Sequence, residues 1–354
     1  MSKIKVLIVD DSAIVRDILT RRLSQHPSIE VIGSAPDPFI ARNKIETQEI
    51  DVITLDIEMP RMDGLTFLKY LMKYKPIPVI IVSSLAEGQN QAALEALERG
   101  AVDIVSKSGG PYSVEEISEE LAEKIIQAAK VSKSRLVSVS ERLQIPTHTK
   151  EKITLTGTAL SQISTTHKLL VVGASTGGTI AMEEIFTKFT PDFPPTLAVI
   201  HMPEHFTASF ANRLDTLCQV HVKEAVDGEL IMPATVYIAP GGYHMQVAAS
   251  GANRIIRIKN GPRLHGQRPA VDILFDSAAE KIGKNCIAVL MTGMGKDGAS
   301  GLKKIKDAGG YTIAQDEASC IVFGMPKEAI ALNAHCEISA LTDIPKAITK
   351  RFNT

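Results

Sequence analysis

The feature that most constrains this chain is a repeated alternation of short apolar runs with amphipathic segments. The run Ile4–Val9 (IKVLIV) predicts a buried strand, and Ser12 is a candidate N-cap for the helix that follows. Four more strands are predicted before residue 129, at Glu30–Gly33, Val52–Leu55, Val79–Val82 and Asp103–Val105. Helices fill the gaps, and Ser113–Ala129 closes the set. Five strands that alternate with five helices predict an α/β fold with a doubly wound, five-stranded parallel sheet.

The alternation fails between residues 130 and 167, a stretch rich in Ser, Thr and Lys that we interpret as an interdomain linker. It then resumes, and a second set of strands is predicted at Leu169–Gly173, Leu197–His201, Thr235–Ala239, Ile287–Met291 and Tyr311–Ala314. A chain of 354 residues also exceeds what one hydrophobic core usually holds. We therefore expect two domains, residues 1–129 and residues 168–354, the second an α/β domain with a mainly parallel sheet.

Charge and composition limit the classes of partner. The chain has 39 Lys and Arg against 40 Asp and Glu, a net charge of −1 that favours neither nucleic acid nor a membrane surface. Its start, MSKIKVLIVDD, is not a signal peptide, and no apolar run approaches the ~20 residues that span a bilayer. The four cysteines show neither CxxC pairing nor zinc spacing. We expect a cytoplasmic protein with reduced thiols, not embedded in a membrane.

Polar residues with complementary chemistry follow four strands of the predicted first sheet. Asp10 and Asp11 follow the first strand, Asp56 ends the third, Ser83 follows the fourth and Lys107 follows the fifth. In a doubly wound sheet these strand ends open on one carboxyl edge, where ligands bind. An isolated acid there is usually a solvated loop residue, but converging carboxylates need a cation, and hard oxygen ligands suit Mg²⁺. A carboxylate beside Mg²⁺ can attack a phosphoryl group, and the lysine and serine can then bind the phosphate.

The segments VLIVDDS, TLDIEMPRMDGL and DIVSK resemble the motifs of the response-regulator receiver family, across residues 1–125. The resemblance implies phosphorylation at Asp56, Mg²⁺ binding by Asp10, Asp11, Asp56 and the backbone carbonyl of Glu58, a switch hydroxyl at Ser83 and phosphate pairing by Lys107. Gly64 fits the turn after the phosphorylated aspartate. Most receivers have proline after the lysine, whereas this chain has Ser108, which leaves the geometry of that loop open.

A second candidate site begins at the glycine-rich turn VVGASTGG. A buried strand ends at Gly173 and a helix begins near Thr179, which places Ser175 on a strand–loop–helix turn. Backbone N–H groups and the helix dipole there favour developing negative charge. The pattern alone also fits a loop that only cradles phosphate, so Ser175 as a nucleophile depends on partners elsewhere.

Two such partners follow other strands of the same predicted sheet. His201 ends the strand in IHMPEHF, and Asp297 lies in the loop TGMGKDG just after the strand CIAVLM. A lone histidine is more often structural, but Ser, His and Asp on separate strand ends are what a nucleophile, a general base and an orienting acid require. The chain order Ser…His…Asp differs from the Ser…Asp…His order of α/β-hydrolases, which disfavours that fold. No acidic third ligand accompanies His201 and His205, so we expect no zinc site.

The segments GASTGG, HMP, IAPGGYHM, RPAVDILF and TGMGKDG closely resemble the catalytic domain of the CheB family of chemotaxis protein-glutamate methylesterases, over most of residues 168–354. The resemblance implies Ser175 as nucleophile, His201 as base, Asp297 as orienting acid and an oxyanion contact from the backbone N–H of Met294. The amides of Thr176 and Gly177 are further candidates for the oxyanion contact. Demethylation of methylglutamate and deamidation of glutamine are both acyl transfers that one triad can serve, without a cofactor.

Other segments of the resemblance have two interpretations. His244 in IAPGGYHM is at least as consistent with a structural turn as with a substrate contact, and Arg268 is a candidate for the mouth of the active site. In the helix after it, Val271, Ile273 and Leu274 are expected to form the buried face. Many family members have histidine before this arginine, whereas this chain has Gln267.

The resemblance also implies partners and control. The phosphodonor would be a chemotaxis histidine kinase, the substrates would be methylated chemoreceptors, and the unphosphorylated receiver would inhibit the esterase. One rival interpretation is a regulator whose second domain only binds a partner, which the three triad residues disfavour. Another keeps the esterase chemistry but has a different methylated protein as substrate, and no residue in the sequence decides between the two.

Overall fold

The computed structural model describes residues 2–84, 89–107, 117–131, 168–251 and 253–352. The chain divides into two compact units, Met1–Pro146 and Thr147–Thr354. Most of the predicted linker, residues 132–167, lies outside the described residues, as do Ser108 and the start of the helix predicted at Ser113. The linker boundaries therefore stay a prediction.

The first unit contains a five-stranded sheet. Its described elements are β1 (Ile4–Val9), α1 (Ala13–Ser24), β2 (Ile29–Ala35), α2 (Pro38–Thr47), β3 (Val52–Leu55), α3 (Gly64–Tyr74), β4 (Val79–Ser84), α4 (Gln89–Glu98), β5 (Asp103–Lys107) and α5 (Ser118–Ala128). The strand order is β2-β1-β3-β4-β5 and every pairing is parallel, which confirms the predicted doubly wound sheet. The chain direction reverses between β1 and β3, so the ends of these two strands form the crevice where such sheets bind ligands.

Local chemistry explains how this unit begins. The run IKVLIV is apolar and forms β1, and the Ser12 side chain accepts a hydrogen bond from the Val15 N–H at 3.4 Å, as the predicted N-cap of α1 should. The fourth and fifth strands extend further than predicted. Ser83 and Lys107 are therefore residues of β4 and β5 rather than residues that follow them.

The second unit contains a seven-stranded sheet and a separate hairpin. Its described elements are β6 (Leu169–Ala174), α6 (Gly178–Phe186), β7 (Thr196–Ile200), α7 (Phe206–Leu217), β8 (His221–Glu224), β9 (Thr235–Ile238), β10 (His244–Ser250), β11 (Asn253–Lys259), α8 (Val271–Lys281), a 3₁₀ turn (Gly283–Asn285), β12 (Cys286–Leu290), α9 (Ala299–Asp307), β13 (Tyr311–Gln315), α10 (Met325–Ala331), β14 (Glu337–Ser339) and α11 (Ile344–Phe352). The sheet order is β14-β13-β12-β6-β7-β9-β8, with parallel pairings throughout.

The central strands place the candidate active site. All residues of β6, β7 and β12 are buried, as expected for parallel strands covered on both faces. From β6 the chain proceeds first to β7 on one side and later to β12 on the other, so the direction of winding reverses at β6. The carboxyl ends of these three strands therefore meet at the crevice where an open α/β sheet binds ligands.

Sequence patterns missed four strands of this unit. The short edge strands β8 and β14 and the antiparallel hairpin of β10 with β11 were not predicted. His244, considered as part of a turn, is the first residue of β10. Among the described helices, none is both long enough and apolar enough to cross a membrane.

Candidate functional sites

Ser175 lies in a tight loop between β6 and α6, as predicted. Its backbone N–H donates to the carbonyl of Thr292 at 3.0 Å, and its own carbonyl accepts from the N–H of Gly178 at 2.6 Å. Gly177 has a φ of 77°, and a Cβ at this position would lie 2.5 Å from Cβ of Ile321. Only glycine fits there, so the turn that presents Ser175 is fixed by packing as well as by backbone conformation.

His201 and Asp297 form a buried pair. Nε2 of His201 lies 2.7 Å from Oδ2 of Asp297, and the two side chains are only 5% and 2% exposed. The backbone N–H of His201 donates to the carbonyl of Ala174, the residue before Ser175, at 3.2 Å. The three predicted residues therefore come from adjacent strand ends. Because Asp297 engages Nε2, Nδ1 is the ring nitrogen left for a proton transfer with Ser175.

The start of α8 holds the Asp297 carboxylate. Oδ2 accepts from the Val271 N–H at 2.7 Å, and Oδ1 accepts from the Asp272 N–H at 2.9 Å. Burial alone would raise the pKa of Asp297, but the hydrogen bond and charge of His201 and these two backbone donors outweigh burial and lower the pKa below 3.8. The N-terminus of a helix also favours a negative charge. Asp297 is therefore held ionised and oriented.

Asp272 is buried in the first turn of α8 and was not among the residues predicted for the site. Its Oδ1 accepts from the N–H of Gly301, in the first turn of α9, at 2.7 Å. Asp297, which precedes α9, accepts N–H groups at the start of α8. Asp272, which lies in α8, accepts an N–H group at the start of α9. Each acid therefore caps the start of the other helix. Burial raises the pKa of Asp272 and the charge of Asp297 raises it further, against the hydrogen bond from Gly301. The sequence did carry one signal for Asp272, because it is an acid among the apolar residues at the start of this helix.

The loop after β12 lies next to Ser175. A Cβ at Gly293 would be 2.7 Å from Cβ of Ser175, which shows how closely the loop after β12 approaches the serine. Within the described parts of the chain, the N–H groups of Met294 and Gly177 donate to no protein group. The carbonyl of Thr176 accepts from the Thr292 hydroxyl at 3.0 Å, which ties the two loops together.

His244 and Arg268 both make hydrogen bonds to backbone and side chains near β10 and β11. Nε2 of His244 lies 3.0 Å from the carbonyl oxygen of Pro262, and its Nδ1 accepts from the Ala270 N–H at 3.2 Å, so both ring nitrogens are engaged. Nη1 of Arg268 donates to Oδ1 of Asn260 at 2.7 Å and to a neighbouring carbonyl at 2.8 Å. These contacts favour the structural interpretation of His244, and they engage Arg268 with the segment after β11.

The first unit brings its predicted residues together at the ends of β1, β3 and β5. Nζ of Lys107 lies 2.6 Å from Oδ2 of Asp10 and 2.6 Å from Oδ2 of Asp56. Burial raises the pKa of Asp56, and the charge of Asp10 adds to that, while Lys107 opposes it. Burial would lower the pKa of Lys107, but Asp56 and Asp10 together raise it above 10.5. The lysine therefore offsets the repulsion between two enclosed carboxylates.

Three carboxylates of this unit fit a small cation. One ligand oxygen each from Asp10, Asp11 and Asp56 lies within 4.8 Å of the others. Asp10 is buried, and its Oδ1 accepts from the Ser12 N–H at 2.9 Å. A Cβ at Gly64 would lie 2.2 Å from the carbonyl oxygen of Asp56, so the turn after Asp56 requires glycine there, as predicted. Ser83 is buried near the end of β4, and Glu58 follows Asp56 by two residues.

Comparisons with known proteins identify the family of each domain. The family model for the CheB methylesterase matches residues 170–348, and the model for the response regulator receiver domain matches residues 6–121. The chain is 52% identical over 350 residues, 99% of each chain, to a protein-glutamate methylesterase/protein-glutamine glutaminase 2 of Syntrophus aciditrophicus. It is 48% identical over 352 residues to a protein-glutamate methylesterase/protein-glutamine glutaminase of Chromohalobacter salexigens, covering 99% of this chain and 96% of that one.

A solved structure supports the assignment of the second unit. The crystal structure of the Thermotoga maritima CheB methylesterase catalytic domain is similar with a TM-score of 0.51 and 40% identity, covering 52% of this chain and 98% of that one. Together with the full-length relatives, this likeness identifies the chain as a member of the CheB methylesterase family that carries a response regulator receiver domain.

Proposed function

We propose that the protein is a phosphorylation-activated protein-glutamate methylesterase that acts in chemotaxis adaptation and also deamidates glutamine. The observation that carries the proposal is the buried carboxylate of Asp297, 2.7 Å from Nε2 of His201, at the same sheet edge as Ser175. The names of its full-length relatives support the substrate class. In this scheme Ser175 is the nucleophile, His201 is the general base and Asp297 orients and stabilises the imidazole.

The reaction proceeds as an acyl transfer. Oγ of Ser175 attacks the ester carbonyl of a methylglutamate while Nδ1 of His201 takes the hydroxyl proton. The N–H of Met294, with those of Thr176 and Gly177, donates to the oxyanion of the tetrahedral intermediate. The His201 imidazolium returns the proton to the departing methanol, and water then releases glutamate from Ser175. With glutamine the leaving group is ammonia, and the other steps are the same.

The receiver supplies control through Asp56. Its carboxylate attacks the phosphoryl group of the donor, for which a chemotaxis histidine kinase is the partner we infer. Asp10, Asp11, Asp56 and the carbonyl of Glu58 would hold Mg²⁺, an ion that neutralises the phosphoryl oxygens when bound. Lys107, already 2.6 Å from Asp56, then pairs with the new phosphoryl oxygens, and the Ser83 hydroxyl donates to them.

The test is release of radiolabelled methanol from methylated chemoreceptors. The wild type should release methanol, and Ser175→Ala should abolish release without changing the melting temperature. Ser300→Ala, which removes an exposed hydroxyl in the first turn of α9, is the matched control and should be as active as the wild type. Normal release by Ser175→Ala would refute the assigned nucleophile. Release from another methylated protein, but not from receptors, would refute the substrate and retain the chemistry.

A further inference from the structure

A second histidine, His265, lies in a tight turn at the edge of the esterase site. The backbones of Leu264 and Gln267 exchange hydrogen bonds of 3.0 and 2.9 Å, so the two residues between them form a tight hairpin turn. His265 has a φ of 53° and Gly266 a φ of 77°, the combination of a type I′ turn. Asn and Gly are the usual residues at the first of these positions. Histidine is among the residues that adopt positive φ more readily, so the turn accommodates His265 and presents its ring beside α8.

The ring of His265 faces Asp272. Its Nε2 lies 3.2 Å from Oδ2 of Asp272, and the two side chains are 31% and 6% exposed. One ligand atom each of His265, Asp272 and Asp297 lies within 4.8 Å of the others. On the other side, Asp297 is 2.7 Å from His201. A pair of neighbouring buried carboxylates therefore has one imidazole at the catalytic end and another at the solvent end.

The His265 imidazole can offset the repulsion between the carboxylates of Asp272 and Asp297. Two carboxylates this close repel each other, and burial strengthens the repulsion. The N–H groups of Val271, Asp272 and Gly301 offset part of it. Among the residues that the structure describes, His265 is the only basic side chain paired with Asp272. Without this partner, Asp272 keeps its hydrogen bond from Gly301, but its side chain is less firmly placed, and so is the backbone N–H by which Asp272 holds Asp297.

We propose that His265 is a positioning residue of the esterase reaction, which fixes Asp272 and through it the orientation and charge of Asp297. The inference rests on the proposed function, because it assigns His265 to the same reaction. The alternative is that His265 only stabilises its turn. That alternative affects the melting temperature, whereas a positioning role affects the reactivity of Ser175.

The decisive variant is His265→Asn, because asparagine adopts the left-handed backbone of this turn readily and carries no positive charge. The matched control is His205→Asn. His205 is also an exposed histidine with positive φ, 71°, and its ring has no partner in the described parts of the chain. Two rates are measured for each full-length variant: labelling of Ser175 by a fluorophosphonate probe, and kcat with KM for methanol release.

We expect His265→Asn to lower the labelling rate and kcat about fivefold, the scale of one hydrogen bond, with KM and melting temperature unchanged. His205→Asn should match the wild type. In a double-mutant cycle, adding His265→Asn to Asp272→Asn should cause no further loss, since the first acts through the second. If Asp272→Asn does not fold, His265→Gly replaces the cycle and should reproduce the loss seen with asparagine.

Two results overturn the proposal. One is a His265→Asn labelling rate equal to that of the wild type, and the other is a full additive loss in the double variant. The proposed function is tested separately by the wild type. If Ser175 is labelled but no methanol is released, the substrate assignment fails, and the labelling rates still decide the role of His265. If the wild type releases methanol but Ser175 is not labelled, kcat alone decides the role of His265; if it is neither labelled nor active, both proposals fail.

Discussion

Asp297 is a buried carboxylate that several hydrogen bonds hold in its charged form. It accepts hydrogen bonds from His201, Val271 and Asp272, and its pKa lies below 3.8 despite burial. Since the folded pKa is depressed, its stabilising contribution is present above pH 3.8 and is lost only as the pH falls through the lower folded value. The pair with His201 therefore keeps a charged carboxylate throughout the neutral range in which the enzyme would work.

We predict that Asp297→Asn lowers kcat for methanol release by a factor on the order of 10⁴, the loss that the equivalent change causes in a serine protease. An amide in this position cannot stabilise the imidazolium, and its NH₂ group would face ring and backbone donors. Asp307→Asn, an exposed acid in the last turn of α9, is the control and should leave kcat unchanged. A rate within about tenfold of the wild type would remove Asp297 from the mechanism.

Residues that follow apolar strands were predictable, and residues that support them were not. Ser175, His201 and Asp297 each stand directly after or near the end of a strand that hydrophobicity reveals, and parallel strands bring such ends together. Asp272 and His265 belong to a helix start and a turn. Their contact with Asp297 depends on how α8 packs against the sheet, which no local pattern encodes.

At the scale of elements, the loop after β12 packs tightly against the nucleophile turn. A Cβ on Gly293 would lie 2.3 Å from Sδ of Met325 and 2.7 Å from Cβ of Ser175. We predict that Gly293→Ala destabilises the second unit by about 1–3 kcal/mol and lowers kcat more than tenfold, because the loop must shift. Gly261→Ala, where the added Cβ meets only ordinary contacts beginning at 3.4 Å, is the control. Calorimetry and methanol release measure the two effects, and unchanged values for Gly293→Ala would contradict the close packing.

In the first unit, the Lys124 side chain links α5 to β5 through hydrogen bonds. Its Nζ lies 2.6 Å from Oδ1 of Asp103 and 2.8 Å from the carbonyl of Ile104, and its side chain is 14% exposed. Burial would lower the pKa of Lys124, but Asp103, with Glu120, raises it above 10.5. Because the folded pKa is raised, this contribution to stability is fully present below pH 10.5 and is lost as the pH rises through the folded value.

We predict that Lys124→Met lowers the free energy of unfolding of the receiver by about 3 kcal/mol at pH 7, since it removes the ammonium group that pairs with the buried carboxylate of Asp103. The difference from the wild type should shrink above pH 10.5. Hydrogen exchange of receiver amides measures it domain by domain. Lys130→Met is the control, because the exposed Lys130 side chain donates to the Gln127 amide oxygen at 3.2 Å and, among the described residues, pairs with no acid. A difference that does not depend on pH would indicate lost packing rather than lost charge.

The strands that sequence patterns missed share a physical reason. β8 is an edge strand of four residues with two exposed side chains, and β14 has three residues. Such strands carry too few apolar positions for a period to be recognised. In β10 and β11 polar and apolar residues are mixed, since the hairpin lies outside the main sheet. The long, buried central strands, by contrast, were predicted to within one or two residues.

At the scale of the whole molecule, two α/β units each place their chemistry at the reversal point of a parallel sheet. Phosphate at Asp56 adds about −1.5 to −2 charge next to Lys107, a local change that switches a receiver. If the receiver inhibits the esterase until it is phosphorylated, the control is a coupling free energy between two sites. Such couplings are typically about 1–3 kcal/mol, or roughly 5–150-fold.

We predict that a phosphodonor with Mg²⁺ raises methanol release by the full-length protein within this range, because phosphorylation relieves the inhibition. Asp56→Asn should be neither labelled by the donor nor activated, whereas Asp17→Asn, an exposed acid paired with Arg21 on α1, should behave as the wild type.

A fragment beginning near Thr166 should release methanol faster than the unphosphorylated parent. It need not reach the rate of the phosphorylated protein, since an activated receiver can also assist. If the fragment is no faster than the parent and the donor changes nothing, the receiver does not inhibit this enzyme. Equal labelling of Asp56→Asn would place the phosphorylation site elsewhere.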